Sequence, residues 1–426
     1  MPYYVSIEQL QVGLYVQLDL HWMDHPFGFN SFKIKSEEQI KTLRQLGLKK
    51  IRYDPDRSDS KPRPAPVVSA EAVAAAETAA DPSPVLESDN PLILAKKARI
   101  ERLRQYRQAV AQTEKALLAA ARTVRSINTD LLTQPKKALT EAENFIGQVA
   151  DTFLADPDVT IHAMGGKGGG EEVYHHGLNV TVLVMMMAKD LGLSAEEGRV
   201  LGLGSLFHDI GLREIPSMIL RKTEPLTMAE QKVWQLHCEY GVKLGRQVGL
   251  PPEVLAIIFQ HHEMMDGSGY PKKLKGADIS FMARLVEVAN RYDTLCNPIE
   301  FAQALSPHEA LSWMFAHERA KHDPKLMEVL IRCLGVYPPG TVVHLSNGAT
   351  AMVTSVNPRR PLKPMLMVYD PEVPRNEAII LDMAEEADVN ISQAIKPRQL
   401  PRAAMDYLCM RKHVSYYFGD GGVAPE

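Results

Sequence analysis

Residues 203–216 read LGSLFHDIGLREIP, and place a histidine against an aspartate, His208-Asp209, inside an otherwise apolar run. Two polar, metal-loving side chains stand where the chain should be building core. Burying such groups is costly unless each is partnered, so the question is what they meet there.

Working outward, six of the 14 histidines fall between 175 and 262: His175, His176, His208, His237, His261 and His262. Glu172 and His176 are four apart, so on a helix they share one face and can bind one ion. His208 and Asp209 are about 100° apart around a helix axis. They still converge on a metal that sits over the edge between them. His237 lies in the helical pattern WQLHCEYG, and His261-His262-Glu263 precedes the turn-rich segment from Asp266 to Pro271.

Imidazole and carboxylate without thiolate suit iron, manganese, nickel or cobalt, and also zinc. A carboxylate shared by two metals is the usual device for hydrolysing phosphate esters, because the pair binds ester oxygens and acidifies a water. Five histidines on at least four helical segments exceed what a structural zinc site can use. Taken alone, a buried histidine is more often hydrogen-bonded core than ligand, and His175 is left in that class.

Length and composition bound the rest. At 426 residues, 45% hydrophobic and 23% charged, the chain has the make-up of a soluble protein of two or three domains. A net charge of −4 argues against a binder of nucleic-acid polymers. The four cysteines, Cys238, Cys296, Cys333 and Cys409, form no C-x-x-C, so neither a thiolate zinc site nor a disulfide framework is suggested, which fits the cytoplasm. MPYYVSIEQLQVG is no secretory signal, and Val180–Ala188 is too short for a membrane span. Met185, Met186 and Met187 within it read as core filling.

The pattern predicts a mainly α protein: an all-α helical bundle core, with a small N-terminal α/β module and a small C-terminal β-domain. Residues 1–56 carry alternating strands around a helix that Ser36 caps, with Gln39 in the capping-box position and Gly47 at its end. Residues 57–91 have the Pro/Ala/Ser composition of a linker. Residues 92–137 form a helical spacer. There Leu103, Tyr106, Val110, Thr113, Leu117, Ala120, Val124 and Ile127 make a heptad seam. That seam pairs two chains as a homodimer or lies on its own domain. Residues 138–336 form the helical core. Its GGKGGG at 165–170 lacks the order of a phosphate loop and no strand is expected before it, so it reads as a flexible connection. In 337–426, two alternating runs around Asn347-Gly348 signal a hairpin.

Together, YHHGLNV, LFHDIG, LTMAEQKVWQLH, IIFQHHEMMDGSGYP and ARLVEVANRYD resemble the HD-GYP domain, a subgroup of the HD metal-dependent phosphohydrolases. The likeness covers roughly residues 140–335. The combination of HD, HHE and GYP makes it very specific. EQLQVGLYV and HPFGFNSFKI are similar to a domain of unknown function common ahead of HD-GYP in bacteria.

The resemblance implies an α-helical bundle holding two or three iron or manganese ions. Its implied activity is hydrolysis of the bacterial second messenger cyclic di-GMP to pGpG and on to GMP. It implies Glu172, His176, His208, Asp209, His237, His261, His262 and Asn290 as metal-site positions, with Asp209 bridging and Glu172 accompanying a third metal. It implies His208 and Asp209 as the catalytic pair. Gly269, Tyr270 and Pro271 match the name-giving turn and are expected at the substrate, with Tyr270 facing either the site or protein partners.

Two positions depart from the pattern. Asn290 stands where Asp is usual; its carbonyl oxygen can ligate but brings no charge. Leu212 stands where Lys is usual, and Arg213, one residue along, is the candidate substitute at the phosphate. These departures keep an alternative open: a receptor or signalling adaptor that binds cyclic di-GMP without hydrolysing it. A third reading is an HD hydrolase acting on another nucleotide.

Overall fold

The structure is a computed structural model. It describes residues 3–20, 25–27, 30–64, 91–155, 160–165, 172–298, 300, 303–356, 360–371, 373–375, 378–386, 389–408 and 414–419. Most of the expected linker, 65–90, lies outside the described residues. The chain divides into two compact units, Met1–Gln105 and Tyr106–Glu426.

The first unit contains a small α/β module. Strands β1 (Tyr3–Ser6), β2 (Tyr15–Gln17), β3 (Ser31–Lys33) and β4 (Lys50–Asp54) form an antiparallel sheet in the order β1-β4-β2-β3. Helix α1 (Glu37–Gln45) contributes Ile40 and Leu43 to a core with Leu10, Leu14, Val16 and Ile51. Ser36 caps α1 by accepting from the Gln39 amide at 3.3 Å. The Gln39 side chain reaches one residue further back than a capping box requires, accepting from the Lys35 amide at 2.7 Å. Gly47 follows the helix with φ +70°.

Helix α2 (Pro91–Asp130) runs across the division and is followed by α3 (Pro135–Ala155), α4 (Glu172–Asp190) and α5 (Ala195–Phe207). Next come α6 (Ser217–Leu220), α7 (Met228–Gln235), α8 (His237–Val248), α9 (Pro252–Gln260), α10 (Phe281–Cys296), α11 (Pro307–His317) and α12 (Pro324–Leu334). Between α4 and α5, Ser194 forms a reciprocal capping box with Glu197, which sets the start of α5. Met185, Met186 and Met187 fill the core where α4 is covered all round. Among the described residues, no helix is long and apolar enough to cross a membrane.

The heptad seam is covered by this chain. Thr113, Leu117, Ala120, Val124 and Ile127 are all buried, and the four apolar ones share one core with Ala138, Ala142, Phe145 and Ile146 of α3. Of the two readings of the seam, its described part therefore follows the one in which the helix lies on its own domain. The side chains of Leu103 and Tyr106 lie outside the described residues.

The helical core is not free of strands. Strand β5 (Thr160–Gly165) directly precedes the glycine run, against the expectation of no strand there. Thr-Ile-His-Ala-Met is too short to display a period of two, and its partners lie far off in sequence. It pairs with β7 (Thr350–Val356) and β11 (Val414–Gly419) in the C-terminal sheet. Residues 166–170 of the glycine run lie outside the described residues. The sheet is completed by β6 (Val342–Leu345), β8 (Met365–Tyr369), β9 (Ile379–Asp382) and β10 (Ile391–Ile395), and α13 (Arg402–Leu408) packs beside it. The Asn347-Gly348 hairpin joins β6 to β7 as expected: Gly348 has φ +85°, and the Asn347 carboxamide accepts from Ala349.

Ile127 is fully buried in the helical core. Ile127→Ala is expected to lower unfolding stability by about 2–5 kcal/mol, the range for truncating such a side chain. Denaturant melts of the full chain check this.

Candidate metal centre

Helix α5 delivers the vicinal pair. Leu201 to Phe207 are all buried, and His208, fully buried, caps the helix C-terminus. Asp209 then begins a tight 3-10 turn, Ile210–Glu214, that lies against α8. Gly211 permits this approach: a Cβ there would sit 1.9 Å from the His237 carbonyl oxygen and 2.5 Å from the Gly241 amide. No side chain fits, so glycine sets how closely Asp209 comes to His237.

The two oxygens of Asp209 face different histidines. Oδ2 lies 3.3 Å from His208 Nε2 and 3.8 Å from His176 Nε2. Oδ1 lies 3.5 Å from both His237 Nε2 and His261 Nε2. His262 joins the second set, which with Asp209, His237 and His261 offers four ligand atoms within 4.8 Å of one another. His176, His208 and Asp209 form the first set.

Each of the four nearest rings is held by its other nitrogen. His208 Nδ1 donates to the Ser205 carbonyl at 2.7 Å, His237 Nδ1 to that of Trp234 at 2.7 Å, and His261 Nδ1 to that of Ile258 at 2.8 Å. All three acceptors are the carbonyl three residues back, in the last turn of α5, α7 or α9. Carbonyls in a last turn have acceptor capacity to spare, that of Trp234 taking the Leu236 amide as well, so ring and helix end satisfy each other. His176 sits instead in the first half of α4, and its Nδ1 donates to Asp293 Oδ2 on α10 at 2.6 Å.

These bonds place the protons on Nδ1, which leaves Nε2 as a bare lone pair. His176 Nε2 and His208 Nε2 are then 3.2 Å apart, and His237 Nε2 and His261 Nε2 3.3 Å apart. Facing lone pairs repel unless a cation lies between them. Two nitrogens at about 2.1 Å from one ion and at right angles to each other stand about 3 Å apart, so the spacing fits one ion per pair. The donor set, imidazole with one shared carboxylate, suits two divalent ions.

For His261 and His262 the electrostatics agree with this assignment. Burial disfavours charge on Asp209, yet its imidazole neighbours, His208 foremost, hold its carboxyl well below the usual carboxylate range. Burial pushes His261 down to about 4 and lowers His262 well below its ordinary value, so both stay neutral through the physiological range. Burial opposes charge on His176 too, but Asp293 outweighs it and raises the pKa.

The other expected positions divide. Asn290 is buried on α10 within hydrogen-bonding reach of His176, and its oxygen accepts from Thr294 at 3.3 Å. Tyr270 faces the site: its ring stacks on His262 with centroids 4.6 Å apart. Gly269 is required by close approach, since a Cβ would lie 2.4 Å from the His262 carbonyl oxygen. Pro271 follows Tyr270 through a cis peptide bond. The expectation for Arg213 is not met: its side chain is exposed and donates to the Asn128 carbonyl near the end of α2. That carbonyl lies in the last turn of its helix and lacks an intrahelical partner, so it captures the guanidinium. Glu172 opens α4, but its side chain lies outside the described residues.

Two further residues shape the site. Glu263, third in His261-His262-Glu263, is no ligand; its carboxylate accepts from the amides of Lys272 at 2.6 Å and Leu274 at 2.9 Å, which pins the segment after Pro271. Asp293, fully buried, orients His176. Its signal in the sequence was an acid one turn beyond Asn290.

Comparison with known proteins shows what the chain is similar to. A family model described as an HD domain matches residues 84–326, more than half of the chain. A domain of unknown function, DUF3391, matches 4–142, and a KOW domain associated with HD domain matches 342–403. A cyclic di-GMP phosphodiesterase of Pseudomonas aeruginosa is 28% identical over 373 residues, covering 86% of this chain and 84% of that one. A cyclic di-GMP phosphodiesterase response regulator of Xanthomonas campestris is 35% identical over 149 residues, covering 34% of this chain and 39% of that one. Among solved structures, an HDG"Y"P protein of Bdellovibrio bacteriovorus aligns with a TM-score of 0.39 at 16% identity, over 78% of this chain and 98% of its own. With its histidines and shared aspartate gathered as a metal site requires, this chain belongs to the HD domain family.

Proposed function

We propose that this protein is a metal-dependent phosphodiesterase that hydrolyses cyclic di-GMP to pGpG or GMP. The observation that carries the reading is Asp209, whose two oxygens each face a separate pair of bare imidazole nitrogens. When bound, two divalent ions supply Lewis acidity to the phosphodiester and acidify a water to a usable nucleophile near neutral pH. His176 and His208 would hold one ion and His237, His261 and His262 the other, with an oxygen of Asp209 offered to each. Glu172 is the residue positioned in sequence for a third. Nitrogen and oxygen donors without thiolate suit iron and manganese as well as nickel, cobalt and zinc, and the family resemblance is what points to iron or manganese.

The chain's own groups do the rest. Tyr270, stacked on His262, places the Gly269-Tyr270-Pro271 turn as a wall of the site, and we assign the turn to substrate binding. A single carboxylate against two dications leaves the centre positive, which attracts a doubly anionic dinucleotide. Asn290 adds no negative charge to it, so the hold on the ions is weaker than an acid there would give. Leu212 supplies no cation to the phosphate, and Arg213 is engaged with Asn128. These two departures favour the second reading, a cyclic di-GMP receptor or adaptor with impaired turnover.

Metal analysis coupled to nucleotide hydrolysis decides between them. Anaerobically reconstituted with iron or manganese, the wild type is expected to bind two or more ions per chain and release pGpG or GMP. Tight cyclic di-GMP binding without product above background would select the receptor. Relatives of Vibrio cholerae named as 3'3'-cGAMP-specific phosphodiesterases, 30% identical over 161 residues in one case, make that nucleotide the competing substrate to assay. His208→Ala/Asp209→Ala is expected to lose metal and at least about 100-fold in turnover, more than changes one layer further out cause. Asn290→Asp is expected to tighten metal binding by roughly tenfold, in line with the dependence of affinity on ligand charge; metal competition titration reads it.

A further inference from the structure

The C-terminal strand β11 lies outside the residues matched by every family model, which end at 403. It nevertheless reaches the metal centre. The link runs through Asp293, whose Oδ2 orients His176. Its other oxygen, Oδ1, accepts two hydrogen bonds, from Asn179 Nδ2 on α4 at 2.8 Å and from Asn297 Nδ2 at the end of α10 at 2.9 Å.

Both carboxamides turn their remaining hydrogen to the same place. Asn179 Nδ2 donates to the Val414 carbonyl at 3.0 Å and Asn297 Nδ2 donates to it at 2.9 Å. Their oxygens accept from the same strand: Asn297 Oδ1 from the Val414 amide at 2.8 Å, and Asn179 Oδ1 from the Tyr416 amide at 3.0 Å. Two amides thus form a clamp, with a strand carbonyl on one side and the Asp293 carboxylate on the other. Both hydrogens and the oxygen of each amide are engaged, so neither can rotate without losing bonds. Tyr416 anchors the strand further, with its hydroxyl 3.0 Å from that of Tyr292 on α10 and both rings fully buried.

The three other oriented histidines donate to carbonyls three residues back along the chain, and among the described residues none has such a link to the sheet. Resting on the metal-centre reading above, we propose that β11 is a positioning element for the His176 side of that centre. Through Asn179 and Asn297 it fixes the Asp293 carboxylate, and so the His176 ring, while the His237/His261/His262 side is oriented without it. Asn179, Asn297 and the strand are positioning groups; none touches an ion. The C-terminal sheet is thereby a route by which its surroundings can set occupancy at one ion only.

Manganese titration of the full chain, read by metal analysis and electron paramagnetic resonance, tests this. Wild type is expected to bind a spin-coupled pair. Asn179→Ala and Asn297→Ala are each expected to weaken one ion by about 10–100-fold, the usual effect of removing an outer partner of a ligand, and to leave the other unchanged. Their spectra should match the single-ion pattern of His176→Ala and not that of His261→Ala. Ile127→Ala, destabilised in the helical core, serves as the control for general loosening and is expected to keep both ions. Wild-type affinity for both ions in the two asparagine variants overturns this inference and leaves the metal-centre reading standing. Equal loss of both ions, or loss of the His176-side ion in Ile127→Ala, overturns it as well. Absence of any tight ion in wild type overturns both readings.

Discussion

The site depends on one carboxylate held among imidazole nitrogens that have no protons to offer it. Asp209 is ionised, and the four nearest Nε2 atoms are lone pairs because each ring gives its proton to a fixed acceptor on the other side. Lone pairs facing lone pairs across about 3 Å in a buried site are unfavourable unless cations lie among them. The polypeptide therefore gathers electron-rich donor atoms that cations complete. Gly211 makes this possible, since any side chain there would push the Asp209 turn away from α8.

The two halves of the centre rest on different supports. His208, His237 and His261 are each oriented by a carbonyl three residues back, in the last turn of the helix that precedes the histidine, a local device that needs no distant partner. His176 lies inside a helix whose carbonyls are taken, so its orientation comes from Asp293 on another helix. Asp293 in turn is held by two asparagines shared with β11. One half is thus as robust as its helices, and the other depends on long-range packing. Beside them, Glu263 ties the segment after the Gly269-Tyr270-Pro271 turn by two backbone amides, which keeps Tyr270 against His262.

The N-terminal half of the fold shows how far local signals carry. Ser36 capped its helix and Gly47 ended it because these are short-range effects of side chain and φ. The Asn347-Gly348 hairpin was legible for the same reason. The heptad in α2 was legible as a buried stripe, but not what buries it. Periodicity reports a face, and α3 turned out to cover the described part of it. Strand β5 left no local signal, since its extended form is set by β7 and β11, some 190 and 250 positions later.

The sequence alone determined which residue types meet. His176, His208, Asp209, His237, His261 and His262 were identifiable because imidazoles and acids recurring on helical segments suit metal ions, and because their order resembles one family. Only the tertiary structure decided how they are used. It gave Asp209 one oxygen for each set, made Glu263 a tie instead of a ligand, turned Arg213 to Asn128, and gave Asp293 its role. The physical reason is range. A residue's chemistry is carried by its own side chain, but the direction of a lone pair is set by a hydrogen bond whose partner can lie more than a hundred residues away.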